Sequence, residues 1–142
     1  MDVVINYWAV LAASVAAIVL AALWYGPFFG KQWMRIIGIT MPGEMTTAIK
    51  RSMIRSYAIQ GVTTLVMAFV MAHVLFFITE LFDVEGVIGG VTAAIWIWLG
   101  FVVPVTIGSV LWENRPWRYW FITAGYYLVT LSLMGVIFAV WQ

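Results

Sequence analysis

Apolar and polar positions along this chain fall into long blocks, not into the alternation of a half-buried strand. Four long stretches carry no formal charge: Val3 to Tyr25, about Tyr57 to Thr79, Val87 to Leu111, and Phe121 to Trp141. A helix rises about 1.5 Å per residue, so each stretch can cross a hydrocarbon core of about 30 Å. The pattern predicts an all-α fold: a polytopic membrane helix bundle with four transmembrane helices. It forms one domain over 1–142, with spans near 3–25, 57–80, 87–111 and 120–141.

The short polar blocks predict what joins the spans. Gly26-Pro27 is expected to end the first helix, because proline lacks the amide that the helix ladder needs. Phe28 to Ile39 sets Lys31 and Arg35 on one face and Trp33 and Ile37 on another, which predicts a short interfacial helix. Thr40-Met-Pro-Gly-Glu44 has a hydroxyl cap, an early proline and an acid, as at a helix start. The next helix should begin as an amphipathic extension carrying Lys50, Arg51 and Arg55, then enter the membrane. An acidic loop, Glu80 to Gly86, leads to the third span, in which Pro104 predicts a kink and a freed Gly100 carbonyl. Ile107 to Trp120 is a charged, aromatic turn that holds three of the nine tryptophans.

Small residues recur at helical spacing. Ala9, Ala13, Ala17 and Ala21 form a four-residue ladder. Gly86, Gly89, Gly90, Ala93 and Ala94 open the third span, and Gly125, Ser132, Gly135 and Ala139 mark the fourth. Such faces let helix backbones approach closely in lipid. They also suggest a homo-oligomer.

Composition reinforces this picture. The 142 residues are 65% hydrophobic and 9% charged, whereas a soluble domain is about one quarter charged. There is no cysteine, which excludes disulfides, thiolate metal sites and cysteine nucleophiles. The acidic Met1-Asp2 start and the length of the first run argue for a retained helix over a cleaved signal peptide. All seven cations lie in the first and third loops: Lys31, Arg35, Lys50, Arg51, Arg55, Arg115 and Arg118. Asp2, Glu80, Asp83 and Glu85 lie on the other side. The positive-inside rule then places those loops in the cytoplasm and both termini outside, as in a bacterial inner membrane. Membrane lipid is the expected partner. Nucleic acid is not, since no basic face with interleaved aromatics exists beyond the boundary.

Candidate chemistry is sparse. His73 is the one histidine and lies within a span, near the depth of Trp96 and Ser132. Ser14, Ser132 or Trp96 could satisfy it, or it could relay protons or contact a ligand. A lone histidine without carboxylate or cysteine partners predicts no metal site, and no cofactor is implied. Gln60, Thr63, Thr64, Thr106, Ser109, Thr123, Tyr126 and Tyr127 share a depth near the cytoplasmic side. They could form a polar pocket, or hydrogen-bond between and along helices. Glu113 could pair with Arg118, or with Lys31 or Arg35, in a cytoplasmic ion-pair cluster. Leu23 to Pro27 and Leu111 to Pro116 also echo each other, as parallel repeats would.

Four segments carry a resemblance. They are Leu23-Trp-Tyr-Gly-Pro-Phe-Phe-Gly-Lys-Gln-Trp33, Trp98-Leu-Gly-Phe-Val-Val-Pro104, Leu111-Trp-Glu-Asn-Arg-Pro116 and Ala124-Gly-Tyr-Tyr127. Together they resemble the small bacterial and fungal membrane proteins catalogued as domain of unknown function 1761. The resemblance implies a four-helix integral membrane protein and carries over no activity. The residues favour a non-enzymatic binding or assembly module. A small transporter or channel using the polar pocket and His73 is the alternative. An enzyme acting on a lipid-like substrate stands third, because the usual catalytic clusters are missing.

Overall fold

The computed structural model describes residues 5–40, 43, 46–82 and 86–141. It is helical throughout, with α1 (Tyr7–Leu23), α2 (Gly30–Ile37), α3 (Thr47–Phe82), α4 (Gly86–Ile97), α5 (Val103–Thr106), α6 (Gly108–Leu111) and α7 (Trp117–Val140). Four helical stretches are long and apolar enough to cross a membrane: Tyr7–Phe28, Thr47–Phe82, Gly86–Leu111 and Trp117–Val140. The architecture is that of a multi-pass membrane protein.

The spans pack as an up-and-down bundle around α7, which contacts α1, α3 and α4; α1 also lies on α3, and α3 on α4. The core is built from small residues. Ala9, Ala13 and Ala17 are fully buried, as are Ala68, Ala94 and Ala124, with Met134 and Phe138 filling the space between. Gly90 and Gly135 bring α4 and α7 into backbone contact: a Cβ on either would collide with the carbonyl of the other. The small-residue faces are therefore used inside one chain.

The helix ends are satisfied locally, as lipid requires. The Asn6 Oδ1 accepts from the amides of Trp8 (3.1 Å) and Ala9 (3.3 Å), while its Nδ2 donates to the Trp141 carbonyl at 3.1 Å. One side chain thus caps the first span and ties it to the end of the fourth.

Several expected boundaries shift, but the first helix does end where Gly26-Pro27 predicts: past Leu23 the chain kinks at Gly26, whose backbone leaves helical geometry (φ −103°, ψ −105°), and α2 opens at Gly30. The Phe29 amide reaches the Trp24 carbonyl at 2.8 Å, a bond that spans the amide missing at Pro27. The interfacial helix is shorter than expected and ends at Gly38, in the left-handed region (φ 74°). The next helix opens at Thr47, with Thr46 Oγ1 accepting from the Ile49 amide at 3.3 Å. The expected opening falls partly on Met41, Pro42, Glu44 and Met45, outside the described residues. So do Val3 and Val4 of the first span and Asp83 to Glu85 of the acidic loop, whereas Glu80 is still helical.

At 36 residues α3 is about 54 Å long, well beyond a bilayer core. Its first turns project from the bundle, and residues 51–60 are all exposed. The third span is broken, as Pro104 predicts, but through a π-helical segment, Trp98–Val102, followed by the short α5 and α6. The fourth helix starts at Trp117, earlier than expected, because Pro116 takes the cap position, where a missing amide costs nothing. The turn narrows to Trp112–Pro116. Asn114 adopts a positive φ of 54° there, and the Arg115 amide bonds the Ser109 carbonyl at 3.0 Å.

The Gly90–Gly135 contact sets a measurable expectation. Gly90→Ala or Gly135→Ala forces two rigid backbones apart and should destabilise the bundle by about 1–3 kcal/mol. Unfolding in mixed micelles, titrated with dodecyl sulfate, reads this directly. Gly61, with open space around it, is the control position and should tolerate alanine.

Candidate functional site

The candidate site lies at the cation-rich end, between the broken half of the third span and the start of α7. Two indoles set its frame. Trp24 stands just before the Gly26 kink, and its Nε1 donates to the Ile122 carbonyl at 3.0 Å. Trp98 opens the π-helical segment of the third span, and its Nε1 donates to the Ala124 carbonyl at 2.7 Å. Two spans are thereby pinned to α7 at carbonyls two residues apart. A third indole, Trp120, donates to Thr106 Oγ1 at 3.1 Å and ties α7 to α5.

Beyond Trp98 the third span leans on α7 less closely, and a groove of about 340 Å³ opens. Its hydroxyl-bearing residues are Thr106, Ser109, Thr123 and Tyr119. Glu113 supplies the one charged lining group, and Trp112 and Tyr119 supply aromatic walls. Val105, 77% exposed, borders it on the lipid side.

The hydroxyls are not equivalent. Thr106 donates back to the Val102 carbonyl (2.7 Å) while accepting from Trp120, and Ser109 donates to the Thr106 carbonyl (2.8 Å). Thr79 and Thr130 likewise bond carbonyls one turn back, at 2.8 and 2.7 Å. Thr123 does not. Its Oγ1 is buried and makes no hydrogen bond; the Tyr25 hydroxyl approaches it without reaching hydrogen-bond geometry. A buried, unpaired hydroxyl costs about 1–3 kcal/mol, which makes it an unusual feature in a bundle otherwise well satisfied.

The expected polar cluster divides in three. Thr106, Ser109 and Thr123 meet in the groove. Tyr126 is buried instead in an aromatic cluster, its ring 5.3 Å from Tyr25, 6.4 Å from Trp24 and 5.2 Å from Tyr127. Gln60 and Thr64 stay on α3, bonded to each other at 3.3 Å, with Thr63 bonded to the Gln60 carbonyl. Shared depth does not fix rotation about the helix axis, and α3 supplies no residue to the groove.

His73 stands apart from all of these. Its Nδ1 is 2.8 Å from the Phe69 carbonyl, and its ring lies 4.3 Å from that of Phe69. The partner is therefore its own helix, not Ser14, Ser132 or Trp96. Ser14 bonds the Val10 carbonyl at 2.8 Å, and Trp96 is 69% exposed, turned out of the bundle.

The ion-pair cluster does not form either. Among the described residues no ion pair within 4.0 Å joins Glu113 to Arg118, Lys31 or Arg35. All four side chains are exposed at one end of the bundle, where such pairing gains only about 0–1 kcal/mol. Arg115 lies over the Tyr119 ring instead, 5.6 Å from its centroid. Among the described residues no three of His, Asp and Glu come together as a metal site needs.

The indole pins escaped the sequence reading, though a signal was present. Trp24-Tyr-Gly26 and Trp98-Leu-Gly100 share a Trp-x-Gly start ahead of a proline. The structural echo thus joins Trp24 with Trp98, not with Trp112, which is 86% exposed. Trp98→Phe and Trp24→Phe remove an indole donor and part of a ring, and each should cost about 1–3 kcal/mol of stability. Trp112→Phe should cost little. Micellar unfolding of the three variants checks the order.

No curated protein and no solved structure matches the chain. The family model described as protein of unknown function (DUF1761) matches residues 8–139, which include both indole pins, the Gly90–Gly135 contact and the whole groove. On that match, the chain belongs to the DUF1761 family.

Proposed function

We propose that this chain is a non-enzymatic membrane protein that binds a small amphipathic molecule in the groove between the third span and α7. The cation-rich end faces the cytoplasm in this reading, since it carries all seven cations of the chain. The observation that carries the reading is the unpartnered, buried Thr123 hydroxyl in the groove wall. Such a group adds little to the fold, and a turn of the Thr123 side chain toward the groove would let a polar head satisfy it. The apolar border at Val105 gives a hydrocarbon tail a way out to lipid.

The site is complete within one chain, so the reading requires no second copy. Transport through His73 gains no support from this geometry, because no residue of α3 lines the groove.

Thr123→Val separates a binding hydroxyl from a structural one. Removing an unpaired polar group should leave the ligand-free fold as stable or more stable, by up to about 1–2 kcal/mol. The same change should reduce co-purifying amphiphile, seen by native mass spectrometry of the solubilised protein. Loss of stability in Thr123→Val, with ligand retention unchanged, would overturn the reading.

A further inference from the structure

We infer that the exposed start of α3 docks on anionic phospholipid head groups of the membrane that the chain spans. This face lies apart from the groove, to which α3 gives no residue, and the inference does not rest on the binding reading above. Three observations carry it.

The first is a helical stretch that the bundle does not use. Further along, α3 packs against α1, α7 and α4, with Thr64, Ala68, Met71, Ala72 and Leu75 buried. Residues 50–60, about three turns of the same helix, are all exposed.

The second is charge. Lys50, Arg51 and Arg55 stand in this stretch, and α3 holds no carboxylate before Glu80 near its other end. Among the described residues none of the three has a carboxylate within 4.0 Å. The two loops and the helix start at this end together hold seven cations against two carboxylates, Glu44 and Glu113. The chain cannot neutralise this excess from within, whereas an anionic surface can.

The third is depth, which selects lipid over a soluble acidic protein. The uncharged run of α3 begins at Tyr57. Arg55 lies about 3 Å beyond that point along the axis, and Arg51 and Lys50 about 9–11 Å. The head-group layer is about 5–8 Å thick on each side of the core. Arg55 thus falls inside it, and the other two lie within one Debye length, about 8–10 Å, of its outer edge. Cations this close to the surface attract anionic lipid. Met53, Ile54 and Tyr57 add exposed apolar surface at the same level, as in basic amphipathic helices that seat on anionic bilayers.

The test uses the full chain in phosphatidylcholine vesicles with a trace of nitroxide-labelled phosphatidylglycerol or phosphatidylcholine. Electron paramagnetic resonance reads the fraction of each label immobilised by the protein. Phosphatidylglycerol should associate about three- to tenfold more strongly than phosphatidylcholine in about 20 mM salt. Salt at about 0.5 M should remove most of that preference. The triple variant Lys50→Gln, Arg51→Gln, Arg55→Gln should lose at least about half of it, and Arg51→Lys with Arg55→Lys should keep it. Micellar unfolding of the triple variant should match that of the parent, since all three side chains are exposed. Equal association of the two lipids overturns the inference and leaves an acidic soluble partner as the complement of this face. A preference undiminished in the triple variant overturns it by moving the site to other cations, and a preference that resists salt overturns its electrostatic basis.

Discussion

Two indole hydrogen bonds onto one helix hold this bundle in its observed shape. In lipid there is no water to satisfy a misplaced donor, so an indole N–H that reaches a backbone carbonyl is held there by the cost of losing it. Trp24 and Trp98 reach α7 from two different spans, at Ile122 and Ala124. Each stands just ahead of an irregular stretch, the Gly26 kink in one case and the π turn of Trp98–Val102 in the other. Anchoring the residue before such a stretch fixes where the chain beyond it points. On the first span this delivers Phe29 and α2 against the end of α1, with Trp24 and Phe29 rings 4.7 Å apart. On the third it turns the chain away from α7 and leaves the groove.

Close packing and loose packing therefore alternate along the same helix pair. Near one end, Gly90 and Gly135 bring α4 and α7 to backbone contact. Near the other, Pro104 and the π-helical segment replace a straight helix with two short ones. The first half needs small residues on both helices. The second needs side chains that can bridge a gap, which Trp120 does through Thr106. Thr123 lies where the bridge leaves off, and its hydroxyl is left unpaired. The groove arises from how the third span crosses Pro104, rather than from a loop added to the bundle.

Much of this was legible in the residues. The absence of charge over four long runs defined the spans, because a bilayer leaves few other solutions. The alanine ladder and the Gly89–Gly90 pair were readable as packing faces, since spacing alone decides which residues share a helix face. Partners across helices were not readable. Gln60 and Thr106 match in depth, yet rotation about each axis separates them, and no local pattern encodes that rotation. Glu113 shares an end with Lys31, Arg35 and Arg118, yet exposure leaves pairing too weak to order the side chains. Gly26-Pro27 was readable as a break, whereas the π turn at Trp98–Val102 stayed hidden, because Pro104 marks a kink and not the hydrogen-bond register that precedes it. Thr123 resembled every other threonine in the spans until its buried, unpartnered oxygen set it apart.

The most direct measurement is deuterium exchange of the indole N–H protons, followed by NMR on the protein in nanodiscs and assigned by single Trp→Phe changes. Trp24 and Trp98, bonded to α7 carbonyls, should exchange far more slowly than Trp112 at the exposed turn. Trp120 should fall with the slow group. Exchange of Trp24 and Trp98 as fast as that of Trp112 would contradict the pinned arrangement, and with it the origin of the groove in the path of the third span.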